Sequence, residues 1–507
     1  MPTRRLSTAG ICLSLLAAPV VWGDGAANEP ERLDESTETA IYLMRMTTRV
    51  YRNGQHHVLH RALRQLRDPA LRPLFGSLAE SAHPDLQIHG ILGLAEGAEG
   101  SQLDLAQLAS VKSPLVQADL VSHALDHDMM TNDQATQLLE WNEQVDLAVK
   151  VLVSARLIRD KQFDKKEILN EALNADNLAR KSLAALLLLQ LGEPEARKTL
   201  DELDASADEV RDQVRSMLIG TALRFDFDQV GPWALKIAGE PDAETKLQII
   251  ALRAALRFGG AEAEGLWSQL FESSSDPAEL TRLAMVVLTL AHEGQSNLEG
   301  AMEASDVPLI QRIGAASTAI GNGSGVVERI GDLIELDHSM VSEWVLTYAK
   351  RHASDPDSIQ ILEQVILAAP GPARSRAVRM DNVVRATQIL FEKSRDDAIA
   401  ILGPVLASPQ SPDRLKQGIL YGLLRCNSDS GADEVIAGLK PFDRPTTRKL
   451  ALLLLAKHRD ELTEDQLHRL GLLVRGNLNG PLRLQAAWRY LSLTNQTEAA
   501  LVRVMDH

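Results

Sequence analysis

Cysteine, aromatic residues and long apolar segments are all scarce in this chain of 507 residues. It has two cysteines, Cys12 and Cys426, and removal of the amino-terminal segment would leave only the second, which excludes an intramolecular disulfide. Aromatic residues make up only 4%, so carbohydrate clefts built from stacked Trp and Tyr are not expected. Beyond the first residues no apolar run is long enough to cross a bilayer, and no membrane span is predicted.

The patterns of β-strands and nucleotide-binding loops are missing as well. Alternating apolar and polar residues joined by Asn-Gly or Asp-Gly turns do not occur, which excludes Rossmann and barrel folds. The glycine cluster GNGSG at 321–325 follows a helical segment and has no lysine, whereas a phosphate cradle needs a preceding strand and a cation. We interpret it as a turn between helices.

The amino terminus has the pattern of a secretory signal peptide. Two arginines precede an apolar stretch over 9–22 and a group of small residues, which predicts a signal peptide over 1–23. Cleavage is expected after Gly23 or, as the alternative, after Ala27. The acidic segment 24–39 is then predicted to be a flexible lead-in. The protein is expected to be exported, to a periplasm first and to the extracellular medium as the second alternative.

Helical segments recur in pairs from residue 40 to the carboxyl end. The barest second helix lies at 176–192, DNLARKSLAALLLLQLG, which opens on a capping Asp, is apolar on every face after one turn and stops at Gly. Successive second helices begin 29 to 37 residues apart, which is the interval of stacked helical hairpins. Their predicted starts are Pro84, Pro114, Glu143, Asp176, Asp208, Asp242, Asp276, Asp306, Ser339, Arg376, Pro412, Pro445 and Pro481.

These copies share chemistry as well as spacing. PDLQIHGILGLAEG at 84, PLIQRIGAASTAIGNG at 308 and PDRLKQGILYGLLRC at 412 each have a breaker or cap, a polar turn, a small central residue and then a helical apolar face. They resemble the second helix of HEAT-type repeats. The tetratricopeptide family has a similar period, but its Trp, Gly, Tyr and Pro landmarks do not line up in this chain.

The resemblance implies an all-α fold, an α-α superhelix (solenoid) of about 13 stacked helical hairpins. We expect an open, curved arc on the order of 100 Å long, from usual helix spacings of roughly 8 to 10 Å. The solenoid is predicted over 40–369 and 377–507. Between these parts, PGPARSR at 370–376 is either a long turn or a joint between two rigid halves.

Two histidine groups have spacing that a metal site can use. His56 and His60 are four residues apart on one helical face, with His57 beside them. A second group contains His123, Asp126, His127 and Asp128. Neither has the further ligands of a zinc protease, so both are interpreted as solvated polar faces, with metal binding as the alternative. No metal or cofactor is predicted.

The best local candidate for acid and base chemistry is RFDFDQ. It places Asp226 and Asp228 among Phe225, Phe227 and Trp233. A turn between two repeat helices explains this segment equally well, and the motifs of serine, cysteine and β-lactam hydrolases are not found. No catalytic residue is predicted.

Charge is distributed unevenly along the chain. The net charge is −16, yet the segment 41–72 carries seven arginines and a single acidic residue. Six of these arginines are predicted to form two stripes along helix faces: Arg45, Arg49 and Arg52, then Arg61, Arg64 and Arg67. Three interpretations remain open, namely internal pairing with acids such as Glu80 and Asp85, contact with an anionic partner, or head-to-tail contact with another copy.

The sequence therefore predicts an exported, non-catalytic scaffold or adaptor that binds a protein partner through the solenoid surface. The alternative is an enzyme or metal-dependent receptor of the cell envelope, for example glycan-active, with a site assembled across repeats. Nucleic acid is not an expected partner, because the protein is acidic and does not interleave aromatic residues with its bases. Self-association is compatible with the charge distribution.

Overall fold

The computed structural model describes residues 33–97, 101–141, 144–206, 210–293, 297–336, 338–352, 355–368, 376–426, 444–476 and 478–505. The predicted signal peptide lies outside these residues. The predicted joint at 370–376 does too, except for its last residue, at which a helix begins.

The described part of the chain is α-helical throughout, with short 3-10 turns and no strand. Its helices, in order, are α1 (Glu35–Arg45), α2 (Gln55–Arg64), α3 (Arg72–Ala79), α4 (Pro84–Glu96), α5 (Leu105–Ser110), α6 (Pro114–Asp126), α7 (Asn132–Glu140), α8 (Leu147–Arg159), α9 (Lys166–Leu173), α10 (Leu178–Gln190), α11 (Arg197–Ala205), α12 (Arg211–Phe225), α13 (Gly231–Ala238), α14 (Thr245–Phe258), α15 (Ala261–Ser273), α16 (Pro277–Leu290), α17 (Glu299–Glu303), α18 (Pro308–Asn322), α19 (Val326–Ile334), α20 (Ser339–Arg351), α21 (Pro356–Leu367), α22 (Arg376–Lys393), α23 (Arg395–Ala407), α24 (Asp413–Arg425), α25 (Pro445–His458), α26 (Glu464–Arg475), α27 (Gly480–Leu493) and α28 (Thr497–Met505).

Every predicted second helix is present, and each begins within four residues of its predicted start. The starts follow from capping: the side chains of Ser113, Asn177 and Asp276 accept hydrogen bonds from backbone N–H groups in the first turns of α6, α10 and α16. The cluster at 321–325 contains the predicted turn between helices: its first two residues end α18, and Gly323 and Gly325 both have positive φ between α18 and α19. Helix periodicity and caps thus fix the local structure.

Small residues allow the helices to pack closely, as their central position in each copy predicted. A Cβ atom added to Gly90 would lie 2.2 Å from the backbone nitrogen of Ala79, so α4 touches the end of α3 through its backbone. An added Cβ would also lie 2.9 Å from Met302 at Gly314, and 2.8 Å from Val383 at Gly418. Any side chain at Gly90 would therefore push two helices apart.

The helices form two layers. The second helices contact one another in sequence, from α2 and α4 to α18, and then from α20 through α22, α24 and α25 to α27; α16 contacts both α18 and α20. The first helices, such as α9 and α11, pack mainly on the second helices, although α19 also packs on α21. Because helices approach one another on a concave side and splay on a convex side, the second helices form the inner layer.

The two ends of the chain meet, so the predicted open arc is wrong. Inner helix α27 packs against α1 and α2, and the Gln485 side chain donates a hydrogen bond of 3.1 Å to the carbonyl oxygen of Ala62. The buried Trp488 indole donates to the Asp68 carboxylate at 2.7 Å. The hairpins therefore close into a ring, whose curvature depends on small rotations per repeat that a hydrophobic pattern does not record.

The first helix begins earlier than predicted. α1 starts at Glu35, inside the predicted lead-in 24–39, because the Asp34 carboxylate accepts hydrogen bonds from the N–H groups of Ser36 and Thr37 and caps the helix. Throughout the described ranges, every helix is too short or too polar to cross a bilayer.

Candidate functional site

The six arginines near the amino end do not form two helical stripes. α1 ends at Arg45, and the hydroxyls of Thr47 and Thr48 donate to carbonyl oxygens of its last turn, which stops the helix before Arg49 and Arg52. α2 ends at Arg64, before Arg67, with Gln65 as its C-cap. The predicted face is therefore broken in both places, although Arg49, Arg52, Arg61 and Arg67 are exposed.

Two of the six arginines have structural contacts inside the molecule. Arg45 donates to the carbonyl oxygen of Arg503 in α28, across the ring closure. Arg64 is buried and pairs with Glu96 at 2.9 Å. Burial raises the pKa of Glu96, but the hydrogen bond from His123 and the charge of Arg64 outweigh it, and the pKa is lowered. Internal pairing thus occurs at Arg64, with Glu96 in place of the predicted Glu80 or Asp85.

Histidines from α2 and α4 form a cluster on neighbouring inner helices. His56 Nε2 lies 3.1 Å from Asp85 Oδ2, and His57 Nε2 lies 3.9 Å from the same oxygen. His57 Nδ1 lies 2.9 Å from His89 Nε2. The ring of His60 stacks on that of His89 with centroids 4.8 Å apart.

The prediction of a solvated face is wrong for this group, because α4 covers it. His56, His60 and His89 are 2%, 0% and 7% exposed, and only the side chain of His57, at 51%, is open to solvent. Burial and the neighbouring positive charges lower the pKa of His60 to about 3 and that of His89 to about 2, so both imidazoles are neutral. Neutral imidazoles have the lone pairs that metal ligation requires.

The second histidine group meets the RFDFDQ segment at the carboxyl ends of the inner helices. Asp126 pairs with Arg224 of α12, and Asp128 lies 3.7 Å from Arg156 of α8. His123 lies 3.6 Å from Glu96. Burial and the charge of His123 lower the pKa of His127. The structure thus joins two candidates that lie about a hundred residues apart in the sequence, but as a network in which each of these carboxylates already faces a cation.

The aromatic side chains near RFDFDQ are not available to stack on a sugar ring, which argues against the carbohydrate-cleaving interpretation of this segment. Phe227 and Trp233 are 1% and 0% exposed and belong to the core. Asp226, at a left-handed φ of 58°, pairs with Arg257 at 2.5 Å. Asp228 accepts a hydrogen bond from Gln190. The segment is the turn between α12 and α13, which was the other interpretation of the sequence.

An aromatic cavity of about 510 Å³ opens between inner helices α14, α16 and α20. Trp344 and Tyr348 on α20, and His352 directly after it, recur every four residues and stack in a row, with ring centroids 5.2 and 4.4 Å apart. His292, which follows α16, meets His352 edge to face. Trp344 and Tyr348 are half-buried, whereas Trp233, Trp267 and Trp488 are fully buried.

The polar wall of this aromatic cavity contains basic side chains. Arg253 and Arg351 line it together with a single carboxylate, Glu343. Both terminal guanidinium nitrogens of Arg385, Nη1 and Nη2, donate to Glu343, and this hydrogen bonding lowers the pKa of the carboxyl group. Burial, and then the charges of Asp355 and Asp357, raise the pKa of Tyr348, so its hydroxyl stays protonated.

Sequence reasoning missed Asp85 and His89 as members of the histidine cluster, and the whole aromatic cavity. The signals were present: Asp85 and His89 are four apart on one helix, and Trp344, Tyr348 and His352 repeat at the same interval. In both cases the spacing is that of any helix face. Only the packing of α4 on α2, and of α20 on α16, shows which faces meet.

No family model matches the chain, and a search of curated proteins finds no relative, so the resemblance to HEAT-type repeats stays a prediction.

Proposed function

We propose that this chain is an exported, non-catalytic scaffold that binds a protein partner on the inner surface of its ring, at the aromatic cavity. The observation that carries the proposal is the row of Trp344, Tyr348 and His352. Large aromatic side chains elsewhere in the described residues are mostly used in the core, whereas these three line an open cavity. Half-buried aromatic residues next to polar groups are typical of binding surfaces.

The charge of the wall defines the partner. Arg351 is exposed at the cavity, and Glu343 is already neutralised by Arg385. An acidic segment that inserts an apolar side chain over Trp344 satisfies both parts of the cavity. The exposed Met340 extends the apolar surface at one rim. The partner is therefore an acidic peptide segment of another protein of the cell envelope.

The test compares the full chain with a Trp344→Ala/Tyr348→Ala double variant in pull-downs from envelope extract. The partner is then confirmed by direct binding of its acidic peptide to the full chain. Tyr42→Ala is the matched control, because Tyr42 is 48% exposed on α1, away from the cavity. We expect the double variant to bind at least about tenfold more weakly, as for loss of aromatic anchors, and the control to bind normally.

The dependence of binding on salt concentration is a second test of this proposal. Binding that depends on Arg351 should weaken as the ionic strength rises from low salt. A partner that the double variant retains at full strength, or whose binding segment is basic, would refute the assignment of the cavity.

A further inference from the structure

Four histidines and a carboxylate converge between α2 and α4, and several of their ring nitrogens have no hydrogen-bond partner. Both ring nitrogens of His60, and Nδ1 of His89, are buried without a hydrogen-bond partner. A buried polar atom without a partner costs about 1 to 3 kcal/mol and calls for an explanation. Because α2 and α4 are adjacent inner helices that bring these groups together, the arrangement is far more specific than a surface histidine pair.

Tautomers assigned from the hydrogen bonds show where a cation fits. The amide of Tyr51 donates to His56 Nδ1 at 3.2 Å, so the neutral ring of His56 carries its proton on Nε2 and donates it to Asp85. If His57 donates from Nδ1 to the neutral His89, its Nε2 lone pair faces the Asp85 carboxylate at 3.9 Å. Two acceptors then face the same space with no proton between them.

We propose that this cluster binds one divalent transition-metal ion of the zinc class, with His57 Nε2, an Asp85 oxygen and His56 as ligands. One ligand atom from each of these residues lies within 4.8 Å of the other two, and within the described ranges this is the one group of three that does so. Imidazole nitrogen and carboxylate oxygen, bound at about 2.0 to 2.2 Å, are ligands that zinc accepts. Solvent reaches the site through the half-exposed His57.

Two further groups position these ligands. His89 accepts the Nδ1 proton of His57 and so fixes the ring with Nε2 towards the metal, which is the usual outer-shell arrangement for a metal-bound histidine. Coordination by His56 through Nε2 requires its proton to move from Nε2 to Nδ1, at the expense of the hydrogen bond from Tyr51 N–H. The site therefore binds the ion together with a small change in the turn before α2.

The experiment titrates the metal-free full chain with Zn²⁺ against a fluorescent chelator, and repeats it with Co²⁺, whose visible absorption reports ligand number and geometry. We expect one ion per chain with a dissociation constant in the micromolar range or below. Asp85→Asn and His57→Ala should each weaken binding at least about tenfold and change the Co²⁺ spectrum. His89→Gln should weaken it by roughly 10-fold, the lower end for an outer-shell partner.

The matched control is the double variant His123→Ala/His127→Ala, which removes two histidines with the same spacing beside carboxylates. It should bind Zn²⁺ as the unchanged chain does. Circular dichroism of every variant checks that the helices are intact; His57 is half-exposed and Asp85→Asn keeps the side-chain shape, so both should fold. No binding below about 100 μM, or binding that only the control variant abolishes, would overturn the proposal.

Discussion

The middle of the helical array and the closure of the ring are held together by different physical means. In α10, all residues from 182 to 188 are buried, and all but one are Leu or Ala. This helix is therefore held by apolar contacts, which have no preferred direction. At the closure, the buried Trp488, Gln485 and Tyr490 each make a directed hydrogen bond to a residue at the amino end. Apolar faces of similar helices can pack on one another in many arrangements. Hydrogen bonds between specific side chains at the two ends determine which helices pack together.

We expect the largest effects from removal of one tryptophan side chain in each of the two regions. Trp488→Ala and Trp267→Ala both remove a fully buried indole, and each should cost about 3 to 5 kcal/mol of local stability. Only Trp488 lies at the closure, so we expect its loss to increase the radius of gyration in small-angle scattering. Trp267 donates to the carbonyl oxygen of Leu283 within the array, and its loss should leave the ring closed.

An equal change of size in the two variants would show that closure depends on the whole array. Hydrogen exchange gives a second measurement of the same contrast. Amides in α1, α2 and α27 should exchange faster in the Trp488→Ala variant, and those in α15 and α16 in the Trp267→Ala variant.

Acid should loosen the closure before it affects the middle of the array. The folded pKa of His60 is about 3, below the 6.5 of an unfolded histidine, so its contribution is complete above pH 6.5 and is lost as the pH falls. Between pH 7 and pH 5 the metal-free protein should lose about 2 kcal/mol from this residue by linkage. Urea unfolding or hydrogen exchange should place the loss in α2 and α4, with α10 unchanged.

His60→Leu is the matched control for the acid experiment. It removes one of the two histidines whose pKa is strongly lowered, so its acid loss between pH 7 and pH 5 should be smaller than that of the unchanged chain by about 2 kcal/mol, and the rest comes from His89. An equal acid loss in the variant would show that His60 does not contribute.

We expect the smallest changes in stability from substitutions at two ion pairs, one exposed and one buried. Glu35, with a side chain 76% exposed, pairs with Arg475 on the outside of the closure, and Glu35→Gln should change stability by less than about 1 kcal/mol. Glu96→Gln should cost more, roughly 1 to 3 kcal/mol, because it leaves the buried Arg64 poorly paired. Denaturant titration of both variants measures the difference, and a larger loss for Glu35→Gln would contradict it.

The sequence was sufficient for the helices and insufficient for their closure. A capping residue such as Asp276 affects only the next few residues, and a small residue such as Gly90 affects a single helix contact. The sequence alone is therefore enough to predict their effects. The Arg45 stripe was predicted wrongly because helical spacing was extended through Thr47 and Thr48, whose hydroxyls compete for the helix carbonyls.

The candidate sites were only half predictable for a related reason. His56, His57 and His60 were identified as a group, but Asp85 and His89 joined it only when α4 packed on α2. The row on α20 has the same spacing as any buried helix face, and its exposure follows from the way α16 contacts both α18 and α20. Such sites depend on relative helix positions, and a pattern within one helix does not contain them.

The meeting of the two termini also constrains how the polypeptide is made. The hydrogen bonds that join them connect residues 420 to 458 positions apart, so α1 lacks its main neighbours until the helices over 464–505 have been synthesised. The apolar side of α1 must stay shielded during synthesis, because the helices on which it packs are made much later. A linear repeat array can mature gradually from one end, whereas this one matures only when its last hairpin arrives.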